Sequence, residues 1–162
     1  MSRITTASPS ASTSVNTEQI SSLKIQKEIF IEAPIDIAFE CVLAQLGPES
    51  EMPDGKPFPF KIEPWPGGRW FRDLGNNTGH LWGHVQVIKP PKLLEIYGQM
   101  MMSYAATNHA QYKLESEGSG TRLKFTHQAV GMIAADHREG LTKGFQFWLE
   151  RIRQLAQNRK NK

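Results

Sequence analysis

The feature that most constrains the fold is a long amphipathic segment at the C-terminal end of the chain. Apolar residues recur there every three or four positions, which is the spacing of one face of an α-helix. They are Leu141, Phe145, Trp148, Leu149, Ile152 and Leu155. We predict a helix that begins near Ile133 or Asp136 and ends near Asn158. At about 1.5 Å per residue, it is long enough to cross a β-sheet from end to end.

The segments before this helix alternate as β-strands do. A first strand begins near Leu23, and further strands are predicted at 69–73, 80–89, 93–100, 109–117 and 121–130. The later strands are joined by short turns rich in Gly, Asn or Pro. Connections this short favour an antiparallel meander.

A short helix and a stiff loop separate the first strand from the others. Apolar residues at helical spacing follow Pro34 and predict a helix that stops at Gly47-Pro48. Six of the ten prolines lie between Gly47 and Gly68, and proline donates no backbone hydrogen bond. We predict a long loop with one short extended piece at 60–62. Such a loop is either a binding lid or a plain surface excursion.

This order of elements predicts an α+β fold. The apolar face of the sheet needs a cover, and the final helix is the only predicted element long enough to supply it. We expect a curved antiparallel sheet of about six or seven strands wrapped around that helix, with a pocket where the twisted sheet closes poorly. Gly140 and Gly144 either remove bulk where the helix faces the sheet or simply lower its helicity.

Length and composition bound the domain organisation. Eleven Ser or Thr and no aromatic residue in the first 22 positions predict a disordered arm at 1–22, followed by one domain at 23–158 and a basic tail at 159–162.

A formal net charge of +3 does not indicate nucleic-acid binding. A membrane-spanning helix needs an apolar run of about 20 residues, and the sequence contains none, so we do not expect membrane insertion. The single cysteine, Cys41, is predicted to be a buried structural thiol in a cytoplasmic protein.

A series of short motifs runs through residues 23–156. They are IEAP at 31–34, GGRW at 67–70, GHV at 83–85, IKPPKLL at 88–94, GTRL at 120–123 with TH at 126–127, and GF at 144–145. In this order they resemble the SRPBCC superfamily of START-like and Bet v 1-like proteins. Within it, they resemble the activator of Hsp90 ATPase homologue 1-like (AHSA1-type) family. The resemblance implies the helix-grip fold.

The chain departs from the family pattern at two positions. We also expect it to lack the activity after which the family is named. Ala129 stands where a glycine is frequent, and Phe145 where a tryptophan is frequent. The eukaryotic activator relies on a separate N-terminal domain for its co-chaperone activity, so we do not expect this chain to stimulate Hsp90. Family analogy also implies a homodimer as a possible assembly.

The candidate site residues are aromatic side chains and a few polar groups expected to face the cavity. Alternation places Leu123, Phe125 and His127 on one face, which the resemblance implies is the inner one. His127 is either a structural hydrogen-bonding residue or a ligand anchor and acid–base group. The aromatic residues either fill a core or line a cavity. The ligand-binding candidates are Trp70, Trp82, His84, Tyr97, Tyr112, Phe125, His127, Phe145 and Trp148.

Three functional hypotheses follow. The leading one is binding of a small lipid-like, aromatic or polyketide-like molecule that enters near the Pro-rich loop, with His127 and Tyr112 as polar anchors. The second is a cyclase or hydrolase that uses His127 with Tyr112, Tyr97 or His84 as its partner. The third is a protein-interaction or stress-response module with a filled core. The spacing of His80 and His84 does not predict a metal site, and no cofactor is predicted.

Overall fold

Seven strands and two helices are formed by residues 12–162, which are the residues described in a computed structural model. In chain order they are β1 Ser21–Ile31, α1 Ile35–Gln45, β2 Lys61–Ile62, β3 Arg69–Gly75, β4 Thr78–Lys89, β5 Leu93–Gly98, β6 Ala106–Glu117, β7 Gly120–Gly131 and α2 Ala135–Lys160. The predicted α+β class and strand number are therefore confirmed.

The strands form one antiparallel sheet in the order β1-β7-β6-β5-β4-β3-β2. β3 to β7 are a meander of consecutive neighbours, and β1 adds to its far edge by pairing with β7. Register shifts between Trp70 and Phe71 and between Val85 and Val87 interrupt the ladders of β3 and β4. Irregularities of this kind bend a strand locally and increase its twist.

Helix α2 lies across the inner face of the sheet. In β7, Leu123, Phe125 and His127 are buried, whereas Lys124 and Gln128 between and beyond them are exposed. The Phe145 ring of α2 lies 4.7 Å from the Phe125 ring, measured between centroids. The predicted shared face of β7 and its cover by the last helix are both confirmed.

The Pro-rich loop between α1 and β3 packs two of its three aromatic residues, Phe58 and Phe60, against the interior. Phe60 is buried, with its ring 4.7 Å from the Trp82 ring and 5.2 Å from the Trp70 ring. The indole nitrogen of Trp70 donates a hydrogen bond to the Leu46 carbonyl at 2.7 Å. The extended piece predicted at 60–62 is strand β2, which pairs with β3. The loop therefore forms one wall of the interior rather than a surface excursion.

The ends of the chain differ from the expected limits. Part of the predicted disordered arm, residues 1–11, lies outside the described residues, and residues 12–20 form no helix or strand. Ser21 and Ser22 already belong to β1, because they pair with Gly131 and Val130. Of the predicted basic tail, Arg159 and Lys160 form the last turn of α2. Cations are favourable there, since they lie at the negative end of the helix dipole.

Candidate ligand-binding site

The space between the sheet and α2 has two parts, of which the first is closely packed with rings. We call it the filled half, formed by Tyr112, Phe125, His127 and Phe145. Ring centroids are 4.9 Å apart for Tyr112 and Phe125, and 4.7 Å apart for His127 and Phe145. Each of these four side chains is no more than 4% exposed. This half is ordinary core at the density typical of protein interiors.

His127 is held in this core by one hydrogen bond. The Asn108 amide nitrogen donates to the Gln99 carbonyl at 3.1 Å, so the Asn108 oxygen is left to accept from His127 Nε2, 2.8 Å away. His127 Nε2 therefore carries the proton. Its Nδ1 has no hydrogen-bond partner among residues 12–162. Burial, helped by the charge of His109, lowers the pKa of His127 from 6.5 to about 4, so the ring is neutral at pH 7.

Tyr112 does not act as a partner for His127. Burial raises the pKa of its hydroxyl well above the usual value, which favours the neutral phenol. Register places Tyr112 opposite Phe125 and Ala110 opposite His127, two positions away along the strand. No hydrogen bond joins Tyr112 to His127 in the described part of the chain. The filled half thus lacks the acid–base pair that the enzymatic hypothesis requires.

The second part is an open, uncharged cavity of about 290 Å³ that we call the apolar cleft. It lies between the first turns of α2, the Pro-rich loop and the loop after β5. Of the described residues, eleven line it and none of these is charged. They are Met52, Pro53, Phe58, Trp82, Met101, Gly140, Leu141, Gly144, Phe145, Phe147 and Trp148.

Two glycines line the helix side of the apolar cleft. A Cβ atom added at Gly140 or Gly144 would meet no heavy atom within 4 Å. Both residues lie on the exposed surface of α2, where any larger side chain would extend into the cleft. This favours the interpretation that the glycines remove bulk over the interpretation that they only weaken the helix.

The predicted site residues divide among three places, which are the apolar cleft, the packed interior and the outer face of the sheet. Trp82, Phe145 and Trp148 line the apolar cleft. Behind them, in the packed interior, lie Trp70, Tyr112, Phe125 and His127.

His84 and Tyr97 were expected to face the cavity, and that placement is wrong. They are paired across β4 and β5, and their rings stack on the outer face of the sheet, with centroids 5.8 Å apart. Tyr97 is 46% exposed. Alternation along β5 sends Leu94 and Ile96 inward, so Tyr97 must point outward.

The sequence matches a known protein family over more than half of its length. The family model described as "Activator of Hsp90 ATPase homolog 1-like protein" matches residues 55–157, which include β3 to β7 and most of α2. The chain belongs to this family. A search of curated proteins found no match to it.

Solved structures share the fold of this chain. An uncharacterised protein from Rhizobium leguminosarum has a TM-score of 0.69 at 17% identity, covering 88% of this chain and 99% of that chain. Ara h 8.0201 has a TM-score of 0.60 at 10% identity, covering 85% and 99%. The Aha1 dimer from Colwellia psychrerythraea, a solution structure, has a TM-score of 0.58 at 16% identity, covering 83% and 96%. These likenesses confirm the helix-grip fold. Family and fold are consistent with a ligand-binding protein or an Hsp90 ATPase activator-like protein.

Sequence reasoning missed several residues that line the cleft of this family member. Phe58 and Phe147 were not singled out, although Phe58 and Phe60 are aromatic residues within a Pro-rich loop. Large apolar residues in a loop signal that the loop packs inward. The three consecutive methionines have different environments: Met100 and Met102 are buried, while Met101 is exposed at the rim.

Other candidate chemistries gain no site in the described region. Among residues 12–162, no group of three His, Cys, Asp or Glu side chains is placed to hold a metal ion. No helix in this range is long and apolar enough to cross a membrane. Cys41 is buried in α1, and burial raises the pKa of its thiol to about 11. A thiol in this state is a weak nucleophile near neutral pH, in keeping with a structural role.

Proposed function

We propose that this protein binds a small, largely apolar molecule in the apolar cleft. The observation that carries the proposal is an uncharged cavity of about 290 Å³ lined on its helix side by two glycines of α2. Ligand pockets are mainly apolar and have volumes of roughly 300–1,000 Å³. The cleft is near the lower end of that range, which suits a fused-ring compound or a medium-length acyl chain.

The walls of the cleft suit an aromatic or acyl body. Trp82 and Trp148 are stacked with their centroids 6.2 Å apart, and Phe58 meets Trp82 edge to face at 6.3 Å. Together they offer a broad ring surface. Met52 and Met101 are both partly exposed at the rim, and their flexible thioethers can adapt to ligands of different shape. The proposed ligand therefore lies against Trp82, Phe145 and Trp148.

This position is shallower than the one expected from the sequence, and it weakens the two rival hypotheses. His127 is not among the described residues that line the cleft, and its ring lies behind Phe145. A bound molecule would thus not reach the proton carrier of the proposed cyclase or hydrolase. The filled-core hypothesis requires voids no larger than a water molecule, which takes up about 30 Å³. The cleft is far larger.

The test is a binding titration with a fluorescent apolar probe, N-phenyl-1-naphthylamine. Native mass spectrometry of freshly purified protein is run in parallel to detect a co-purified compound. We expect saturable binding by the wild type and a loss of at least tenfold in Gly144→Leu, whose side chain would occupy the cleft. Gln154→Leu adds the same side chain at an exposed position of α2 outside the cleft and is the matched control. Equal binding by Gly144→Leu and the wild type would refute the proposal.

A homodimer and a cytoplasmic location remain predictions. The protein from Colwellia psychrerythraea is described as a dimer, which supports testing for the same assembly here. Analytical ultracentrifugation at several micromolar protein concentrations distinguishes a monomer from a dimer. A mass that stays monomeric at all of these concentrations would exclude a stable dimer.

A further inference from the structure

A second cavity opens directly beside the apolar cleft. It has a volume of about 670 Å³ and is more exposed to solvent; we call it the polar mouth. Phe58, Trp82 and Met101 line both spaces, so the two are adjacent. The polar mouth is completed by Arg72, His80 and the loop at 99–105. An elongated molecule seated in the cleft can place one end in this mouth.

Arg72 lies in the mouth, and no carboxylate among residues 12–162 forms a salt bridge with it. Its guanidinium carbon lies 3.6 Å from the centroid of the Phe58 ring, an arrangement that fixes the plane of the group. Its Nε is buried and makes no hydrogen bond within residues 12–162. The adjacent carboxylate, Asp73, is already bound to Lys61 at 2.7 Å and to the backbone N–H of Gly75 at 2.9 Å.

Other arginines of the described chain are used differently. Five of them form salt bridges with glutamates: Arg69, Arg122, Arg151, Arg153 and Arg159. No such bridge forms at Arg72 in the same range of residues. A half-buried guanidinium with an unused donor is costly unless something pairs with it. Arg72 thus has the properties of a group whose partner is external.

The surroundings of Arg72 favour an anion. His80 faces it across β3 and β4, since the two residues are direct partners in the strand register. Both side chains can donate hydrogen bonds. Of the described residues that line the polar mouth, none is acidic. The site therefore offers one permanent positive charge, a second donor and no competing carboxylate.

We propose that the ligand is an amphiphilic anion whose apolar body lies in the apolar cleft and whose carboxylate or similar group binds Arg72, with His80 as a further donor. The inference rests on the proposed function and adds the class of ligand. A planar guanidinium fork pairs with a carboxylate through two parallel hydrogen bonds. The bound anion would also give the buried Nε its missing acceptor.

The test compares two probes that share one aromatic body. N-phenyl-1-naphthylamine is neutral, and 1-anilinonaphthalene-8-sulfonate carries an anionic sulfonate on the same rings. In Arg72→Gln we expect the Kd of the anionic probe to rise about tenfold or more, as for loss of a charged hydrogen bond. The Kd of the neutral probe should change by less than twofold. Arg72→Lys keeps the charge without the fork and should give an intermediate Kd.

Lys89→Gln is the matched control, because it removes one positive charge from the exposed end of β4, away from both cavities. It should leave both Kd values unchanged. Circular dichroism establishes that each variant is folded. An unchanged Kd of the anionic probe in Arg72→Gln, or an equal loss for both probes, would overturn the anion site. Failure of the wild type to bind the neutral probe would instead refute the proposed function itself.

Discussion

In the filled half, Phe145 of α2 lies against Phe125 and His127 with ring centroids 4.7 Å apart. In the apolar cleft, Gly140 and Gly144 of the same helix leave open space beside buried and half-buried aromatic walls. The strands supply aromatic residues to both regions, and the Pro-rich loop adds Phe58 to the cleft. What differs is the residue that α2 places opposite them. Phe145 closes the filled half, whereas the two glycines leave space between the aromatic residues that line the cleft, which include Phe145, Phe147 and Trp148 of α2 itself.

The largest expected effect is on the filled half. Replacing a buried phenylalanine with alanine leaves a cavity and typically costs about 3–5 kcal/mol of stability. We expect Phe125→Ala, at a residue 1% exposed, to lower the free energy of unfolding in urea by that amount. Trp65→Ala is the control, because the Trp65 ring is 55% exposed and its removal should cost little. A loss below about 1 kcal/mol in Phe125→Ala would show that the region is not tightly packed.

A second prediction concerns the pH dependence of the filled half. The pKa of His127 is about 4 in the folded protein and 6.5 in the ordinary side chain. Between pH 4 and pH 6.5, the unfolded chain therefore binds a proton at this residue that the folded protein does not bind. The stability that this residue contributes is complete above pH 6.5 and is lost as the pH falls towards 4. The difference of pKa corresponds to about 3 kcal/mol.

Urea unfolding at pH 7, 5.5 and 4 measures this effect. His127→Gln keeps an amide donor for Asn108 but does not titrate, so its stability should fall less steeply with pH than that of the wild type. Identical slopes for His127→Gln and the wild type would mean that His127 is protonated normally in the fold.

The smallest expected effect distinguishes glycines of the cleft from a glycine of the sheet. Gly140→Ala should stabilise the protein by about 0.5–1 kcal/mol, because alanine favours the helix and its Cβ meets open space. Gly83→Ala should destabilise it, since the Cβ would lie 2.5 Å from the Tyr97 carbonyl oxygen. Thermal unfolding monitored by circular dichroism measures both. A destabilising Gly140→Ala would contradict an open cleft at this position.

Much of the fold was predictable because its signals are local. The apolar stripe of α2 and the alternation of Leu123, Phe125 and His127 each follow from the period of one element. The limits of β5 were less accurate: it ends at Gly98, and Met100 has a φ of 54° that turns the chain away. A left-handed methionine gives no sequence signal.

The site was less predictable because it depends on contacts between distant segments. The outward position of Tyr97 depends on the register of β5, and the environment of His127 depends on Asn108 of the neighbouring strand. The role of Phe58 depends on how the Pro-rich loop folds back over Arg72 and Trp82. Aromatic composition alone could not tell which rings would be covered by α2.

The central claim is that a ligand occupies the apolar cleft while the filled half stays closed. Methyl NMR spectra recorded during titration with N-phenyl-1-naphthylamine test it directly. We predict chemical-shift changes at Met52, Met101 and Leu141, which line the cleft, and little change at Leu114, Leu123 and Ile152, which are fully buried elsewhere. Shifts concentrated at Leu123 and Ile152, with the cleft methionines unmoved, would contradict this account.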